Sequence, residues 1–160
     1  MPLTFNLRHL EEKNLHLEGQ LAVAELDLEN IDEVIHPKEP LAFNLDVQNI
    51  ENAILVTGTL RMALDCECVR CLKPFQHRID LENWACHLPL SGEEKVPVIN
   101  DCVDLTPYLR EDIVLAFPQH PLCEMDCGGL KPPSIVSKPG GQKKPADVPS
   151  PWTELNKLKL

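Results

Sequence analysis

The sequence predicts an α+β fold that is mainly β: an antiparallel, partly closed sheet with one packed amphipathic helix, continued by a flexible tail that ends in a short helix. Three observations predict it. Apolar and polar residues alternate over several stretches of the body, the period at which a strand buries one face. Only the segment after Asp104 carries convincing helical spacing within the body. Beyond residue 130 the composition turns to Gly, Pro, Lys and Ser, which bury too little apolar surface to order themselves. A chain of 160 residues supports one domain with a modest core. With aromatics at 4%, that core must be built mainly from Leu, Val, Ile and Ala. The expected organisation is an acidic β-rich domain at 1–130, a Pro/Gly/Lys-rich linker at 131–149 and a short helix at 150–160.

Taken in order, Leu3, Phe5 and Leu7 alternate with polar residues and predict a first half-buried strand. Leu15, Leu17, Gly19 and Leu21 repeat the pattern, followed by Val23. The stretch from Asn30 to Glu39 is acidic, ends at Pro37 and Pro40, and reads as a loop. Leu41, Phe43, Leu45 and Val47 alternate cleanly, and Asn49 to Asn52 supply a turn. Ile54 to Leu64 is rich in β-branched residues and reads as a long strand, with Gly58 marking a bulge. Phe75 to Leu90 is a further strand region, with Trp84, Cys86 and Leu88 on one face. The helix begins near Asp104, with Thr106 as N-cap and Pro107 at the first helical position, where its missing donor costs nothing. Leu105, Leu109 and Ile113 fall at helical spacing, and Pro118 ends it. In the tail, Ser150-Pro151-Trp152 reads as a helix start, and Trp152, Leu155 and Leu158 give that helix an apolar face for docking.

Charge narrows the function classes. Residues 131–160 hold six lysines against Asp147 and Glu154, a net +4; the whole chain is −10, which leaves −14 for residues 1–130. A body so acidic repels phosphate backbones and attracts basic surfaces, the opposite of what non-specific nucleic-acid binding needs. The N-terminal residues lack a basic stretch followed by an apolar one, and no apolar run reaches the ~18 residues of a membrane span. The expectation is a protein of the cytoplasm with no membrane partner.

Seven cysteines cannot all pair within one chain, and without an export signal close pairs point to metal ligands or reduced core residues. Cys68-x-x-Cys71 has the spacing at which a tight turn aims two thiolates at one ion. Cys123-x-x-x-Cys127 opens into Gly128-Gly129, a second turn. Together they make a tetrahedral four-thiolate zinc site of structural kind, clipping the strand region to the segment after the helix. Cys66 and His120 stand close enough in sequence to substitute as ligands. Cys86 reads as a core residue, and Cys102 is given no role. Arg70, held between two ligands on a rigid turn, is a candidate to recognise a partner's carboxylate or an RNA phosphate. A redox reading of Cys68-x-x-Cys71 needs a helix starting at the motif, whereas Leu72-Lys73-Pro74 blocks one. Phosphate-cradling glycine motifs, a nucleophile elbow and a His-Glu-x-x-His pair are absent. Binding rather than catalysis is expected.

Cys68-Val69-Arg70-Cys71-Leu72 at the end of a strand resembles the signature of the YceD family, the large ribosomal RNA subunit accumulation proteins. Asp104-Leu105 leading into the helix, then Phe117-Pro118, Pro121, Cys123, Cys127, Gly129 and Leu130, match it further. Pro151-Trp152 with Leu155 and Leu158 resembles the family's closing helix. Where many relatives continue with a further Cys-x-x-Cys-Gly, Leu130 is followed here by Lys131-Pro132-Pro133. That leaves Cys68, Cys71, Cys123 and Cys127 as the metal set. The resemblance implies a bacterial, non-enzymatic role in 23S ribosomal RNA accumulation and large-subunit assembly. Combined with the charge, it points to a basic ribosomal protein or assembly factor held by the acidic body, with the lysine-rich tail touching ribosomal RNA. Arg70, Trp152 and Leu155 are the expected partner-binding residues. Direct RNA binding through the tail and Arg70, and a thiol redox role, are the alternatives.

Overall fold

The computed structural model describes residues 1–131. The remainder of the expected linker, the expected helix at 150–160, and Trp152 and Leu155 lie outside the described residues. The described elements are β1 (Thr4–Asn6), α1 (Leu7–Glu12), β2 (Leu15–Leu21), β3 (Ile35–Pro37), β4 (Leu41–Ile50), β5 (Ala53–Glu67), β6 (Pro74–Pro89), β7 (Cys102–Asp104) and α2 (Thr106–Leu115). The mainly β, antiparallel fold expected from the alternation is what these residues form, a curled half-barrel sheet with helices packed on it.

β5 is the spine of the main sheet. β6 runs antiparallel along one edge of it from Ala53↔Pro89 to Glu67↔Pro74. Along the other edge β4 and then β3 pair with it, and β2 closes on β4. The alternation dictates which face is buried: Leu41, Phe43, Leu45 and Val47 of β4 and Leu60, Met62 and Leu64 of β5 all point into the core. A register shift sits between Gly58 and Leu60, where the sequence places a bulge. The extra residue belongs to β6: Gly58 faces Trp84 while Leu60 faces Leu81. Glu82 and Asn83 are consequently both exposed, and the inward set changes from odd numbers (Ile79, Leu81) to even ones (Trp84, Cys86, Leu88). One inserted residue thus keeps both halves of β6 facing the same core.

Several details differ from the expectations. Leu7 is not on a strand but opens the six-residue α1, whose start Asn6 caps by accepting from the Arg8 N–H at 2.9 Å. The stretch expected as a loop contains β3, which buries Ile35 against Cys66 of β5. Thr106 is not the N-cap. The Thr106 N–H donates to the Asp104 carboxylate, while its own hydroxyl accepts from the Leu3 N–H at 2.9 Å and ties α2 to the N-terminal strand. That strand, β1, pairs with β7 immediately before α2. Leu105, Leu109 and Ile113 are fully buried, as their spacing predicts.

Two further polar contacts anchor α2. Arg110 Nε donates to the Leu26 carbonyl at 2.9 Å, holding the turn whose Leu26 and Leu28 plug the core. Trp84 Nε1 donates to Asp112 Oδ2 at 2.5 Å. Replacing Asp112 by alanine strands the buried indole N–H, an expected loss of about 1–2 kcal/mol. The urea midpoint measures it, and an unchanged midpoint would mean that water satisfies the indole.

Candidate metal centre

Two turns, some fifty residues apart in the chain, build one site. β5 ends at Glu67, and the next residue, Cys68, is fully buried. The chain then folds back sharply. The Cys68 N–H donates to the Lys73 carbonyl at 2.9 Å, and the Leu72 N–H to the Cys68 carbonyl at 2.8 Å. Leu72 takes φ +62° to complete the reversal, a left-handed conformation that a leucine adopts at a cost. This turn leads into β6 and brings Cys71 beside Cys68.

The second turn follows α2. The Val69 N–H donates to the Pro121 carbonyl at 3.0 Å, fixing the returning segment against the first turn. The Cys127 N–H closes on the Glu124 carbonyl at 3.2 Å, and Gly129 supplies a positive φ of +78°. Arg70 Nη1 donates to the Cys127 carbonyl at 3.2 Å and straps the two turns together.

The four sulfurs converge. Cys68 Sγ lies 3.7 Å from Cys127 Sγ, Cys71 Sγ lies 3.6 Å from Cys123 Sγ, and all four are within 4.8 Å of one another. Four thiolates at about 2.3 Å from a central ion stand about 3.8 Å apart in a tetrahedron. The donor set is therefore spaced to hold one thiophilic ion.

The electrostatics divide the thiols. Burial works to raise Cys68, but the backbone N–H groups of Cys123, Cys71 and Arg70 together outweigh it and hold Cys68 at about 6. The neighbouring Cys71 thiol, then burial, push Cys123 up to about 12. At Cys127 the Gly129 N–H works downward, while burial and the Cys71 and Cys68 thiols carry it above the usual range. The backbone N–H groups thus favour the thiolate at Cys68, whereas Cys123 and Cys127 are pushed toward their protonated forms.

The candidate substitutes are not at the site. Cys66 is buried in the core, its thiol near the Leu64 carbonyl, and burial first, then the Asp65 and Asp32 charges, push it up. His120 is exposed and lies outside the group. Cys86 packs against the core, where burial and the Asp112 and Glu111 carboxylates push it up to about 11. Cys102 lies on β7, 3.8 Å from the Asn6 side-chain amide. Arg70 is exposed apart from its bond to Cys127. No helix starts at the Cys68-x-x-Cys71 turn. The contributions of Leu72, Pro121 and Gly129 are backbone ones, and of these only Gly129, just after a ligand, leaves a trace in the sequence.

Compared with known proteins, residues 56–159 match the family described as Large ribosomal RNA subunit accumulation protein YceD. An uncharacterized protein of Mycobacterium tuberculosis is 28% identical over 126 residues, covering 72% of this chain and 60% of that protein. Another, of Mycobacterium leprae, is 29% identical over 142 residues, covering 82% of this chain and 63% of that protein. The chain thus spans less than two thirds of the length of these curated relatives. No solved structure matches it.

Proposed function

Because the chain belongs to the YceD family, we propose that it is a non-enzymatic factor in making the large ribosomal subunit, supporting 23S ribosomal RNA accumulation from the cytoplasm. The observation that carries the mode of action is the division of charge, −14 over residues 1–130 and +4 over 131–160. The acidic sheet holds a basic ribosomal protein or assembly factor, and the lysine-rich tail touches RNA. No helix among the described residues is long and apolar enough to cross a membrane, in keeping with this reading. The test is affinity purification of the tagged chain from its host, with and without RNase. Large-subunit proteins that persist after RNase support the adaptor reading. Complete loss with RNase favours the second reading, direct RNA binding through the tail and Arg70, whose guanidinium remains exposed. Nothing ribosomal in either sample removes both.

Zinc is the ion proposed for the four-cysteine site, in a structural role: four thiolates leave no open position for substrate. Its uptake displaces the protons of Cys123 and Cys127, both held above the usual range, whereas Cys68, at about 6, is already ionised at neutral pH. With at least two protons released per ion, the affinity is expected to fall by at least about a hundredfold for each unit the pH drops near neutrality. A competition titration against a chromophoric chelator reads this directly. An affinity indifferent to pH would exclude the thiols as ligands.

A further inference from the structure

Among the described residues the main sheet has three unpaired outer edges, on β2, on the three-residue β3 and on β6. β2 has seven residues and β6 sixteen. An unpaired edge offers its N–H and C=O groups to another chain, and a long one more than a short one. At the middle of β6 the bulge turns both Glu82 and Asn83 to solvent. Beside them a cleft of about 560 Å³ opens between β6 and the C-terminal end of α2, and Asp80, Glu82, Trp84, Asp112 and Leu115 help line it.

The chemistry of this cleft is one-sided. No basic residue lines it. Asp80 is engaged by Arg61, and Asp112 accepts from the Trp84 indole, whereas Glu82 makes no ion pair among the described residues. α2 ends here with no basic side chain in its last turn, so the partial negative charge of its terminal carbonyls adds to the carboxylates. Leu115 stands 82% exposed at the rim, an apolar surface on which a methylene stem can lie.

We propose that the β6–α2 cleft is the docking site for an extended, lysine- or arginine-bearing segment of a protein partner. The segment's main chain runs along the β6 edge near Asp80–Ala85. One cationic side chain meets the unpaired Glu82 near the C-terminal end of α2, its stem covering Leu115. Charge complementarity selects this occupant, and it argues against a second copy of the chain. Two bodies that each carry −14 over residues 1–130 repel one another, whereas a cationic segment is attracted. The inference rests on the reading that the acidic body holds a basic partner, and it says where.

The experiment uses the isotope-labelled full chain and a synthetic ten-residue peptide of alternating lysine and valine, followed by amide shifts and hydrogen exchange at moderate salt. Amides within Asp80–Ala85 are expected to shift and to exchange at least about tenfold more slowly on binding. Glu82→Lys is expected to weaken the peptide about tenfold. Glu33→Lys, the same charge change on an exposed loop residue, should alter it less than about twofold. Equal losses from both substitutions, or protection elsewhere on the sheet, would overturn this site while leaving the acidic-adaptor reading standing. So would edge amides already protected in the free chain, because the edge would then be occupied. An equal affinity for a matched control peptide of alternating glutamate and valine would overturn the choice of occupant. No binding of the lysine peptide would overturn this site, while the adaptor reading would still be decided by the RNase purification.

Discussion

Replacing Cys68 by serine is expected to abolish ion binding by the full chain and to lower its stability by about 4 kcal/mol in zinc-replete buffer, the contribution of a ligand present at about a thousand times its dissociation constant. Cys68 is the sharpest choice because it is the fully buried member of the set and the one held at about 6 by three backbone N–H groups. A hydroxyl in its place stays protonated and is a poor partner for a thiophilic ion. The variant should still fold. The half-barrel core, from Leu41 on β4 to Ile113 on α2, is closed by its own apolar packing, and the turn keeps its bonds from Cys68 N–H to Lys73 and from Leu72 N–H to Cys68. What is lost is the clip between the turn after β5 and the segment after α2. Thermal unfolding with and without chelator checks this. Chelator should destabilise the unsubstituted chain by a similar amount and leave the Cys68→Ser variant unchanged, because both remove the same interaction. Cys86→Ser, outside the cluster, should keep full ion binding. A Cys68→Ser variant that melts with the unsubstituted chain under both conditions would show that the four sulfurs meet without an ion.

How far the fold could be read in the sequence depended on whether a segment carries a period of its own. Leu41 to Val47 shows strict alternation because one face of β4 is buried and the other is not. Leu105, Leu109 and Ile113 show helical spacing for the same reason. α1 has six residues, too few to establish a period, and its local signal was the Asn6 cap. β3 has three residues and exists because the free edge of β5 is there to pair with, a tertiary fact. Leu26 and Leu28 are fully buried and alternate with Glu25, Asp27 and Glu29, yet they lie in and beside a turn and not on a strand, so the alternation alone did not place them. The bulge was legible at Gly58 but its extra residue was not, although the step from odd to even apolar positions across Glu82-Asn83 is its trace.

The candidate metal centre divides along the same line. Cysteine spacing named Cys68, Cys71, Cys123 and Cys127, since a tight turn is a local object. Whether Cys66 or His120 substitutes for one of them is decided by where β5 ends and how the chain returns from α2. The bonds that assemble the site, from the Val69 N–H to the Pro121 carbonyl and from Arg70 Nη1 to the Cys127 carbonyl, span more than fifty residues and end on backbone carbonyls that any residue supplies. Side-chain chemistry can be read from composition and spacing; a scaffold made of backbone has no residue signature unless it demands glycine.

Gly58 is the place where the backbone does demand glycine, and Gly58→Ala is expected to cost about 4 kcal/mol or more, among the largest effects of a single substitution. Two causes combine there. Its φ of +156° lies outside the range that residues with a side chain readily adopt. The added methyl group would also collide with the Asn44 carbonyl oxygen and stand 2.9 Å from Leu45 Cα. Both contacts are backbone of β4, which pairs with β5 at Leu45↔Gly58 and cannot swing aside as a flexible side chain would. On the other side Trp84 of β6 faces the same residue at the bulge, so the spine is fixed from both edges. Gly92→Ala separates the two causes. Gly92 also has a positive φ, +97°, but nothing lies within 4 Å of the added carbon, so strain alone should cost about 1–2 kcal/mol. Urea midpoints of the two variants supply the comparison. Gly58→Ala falling far below Gly92→Ala would assign the excess to the clash with β4. Equal midpoints would mean that β4 moves away from the spine, and Phe43 and Leu45, which flank the clash on the core face, would then lose packing and exchange their amides faster in the variant.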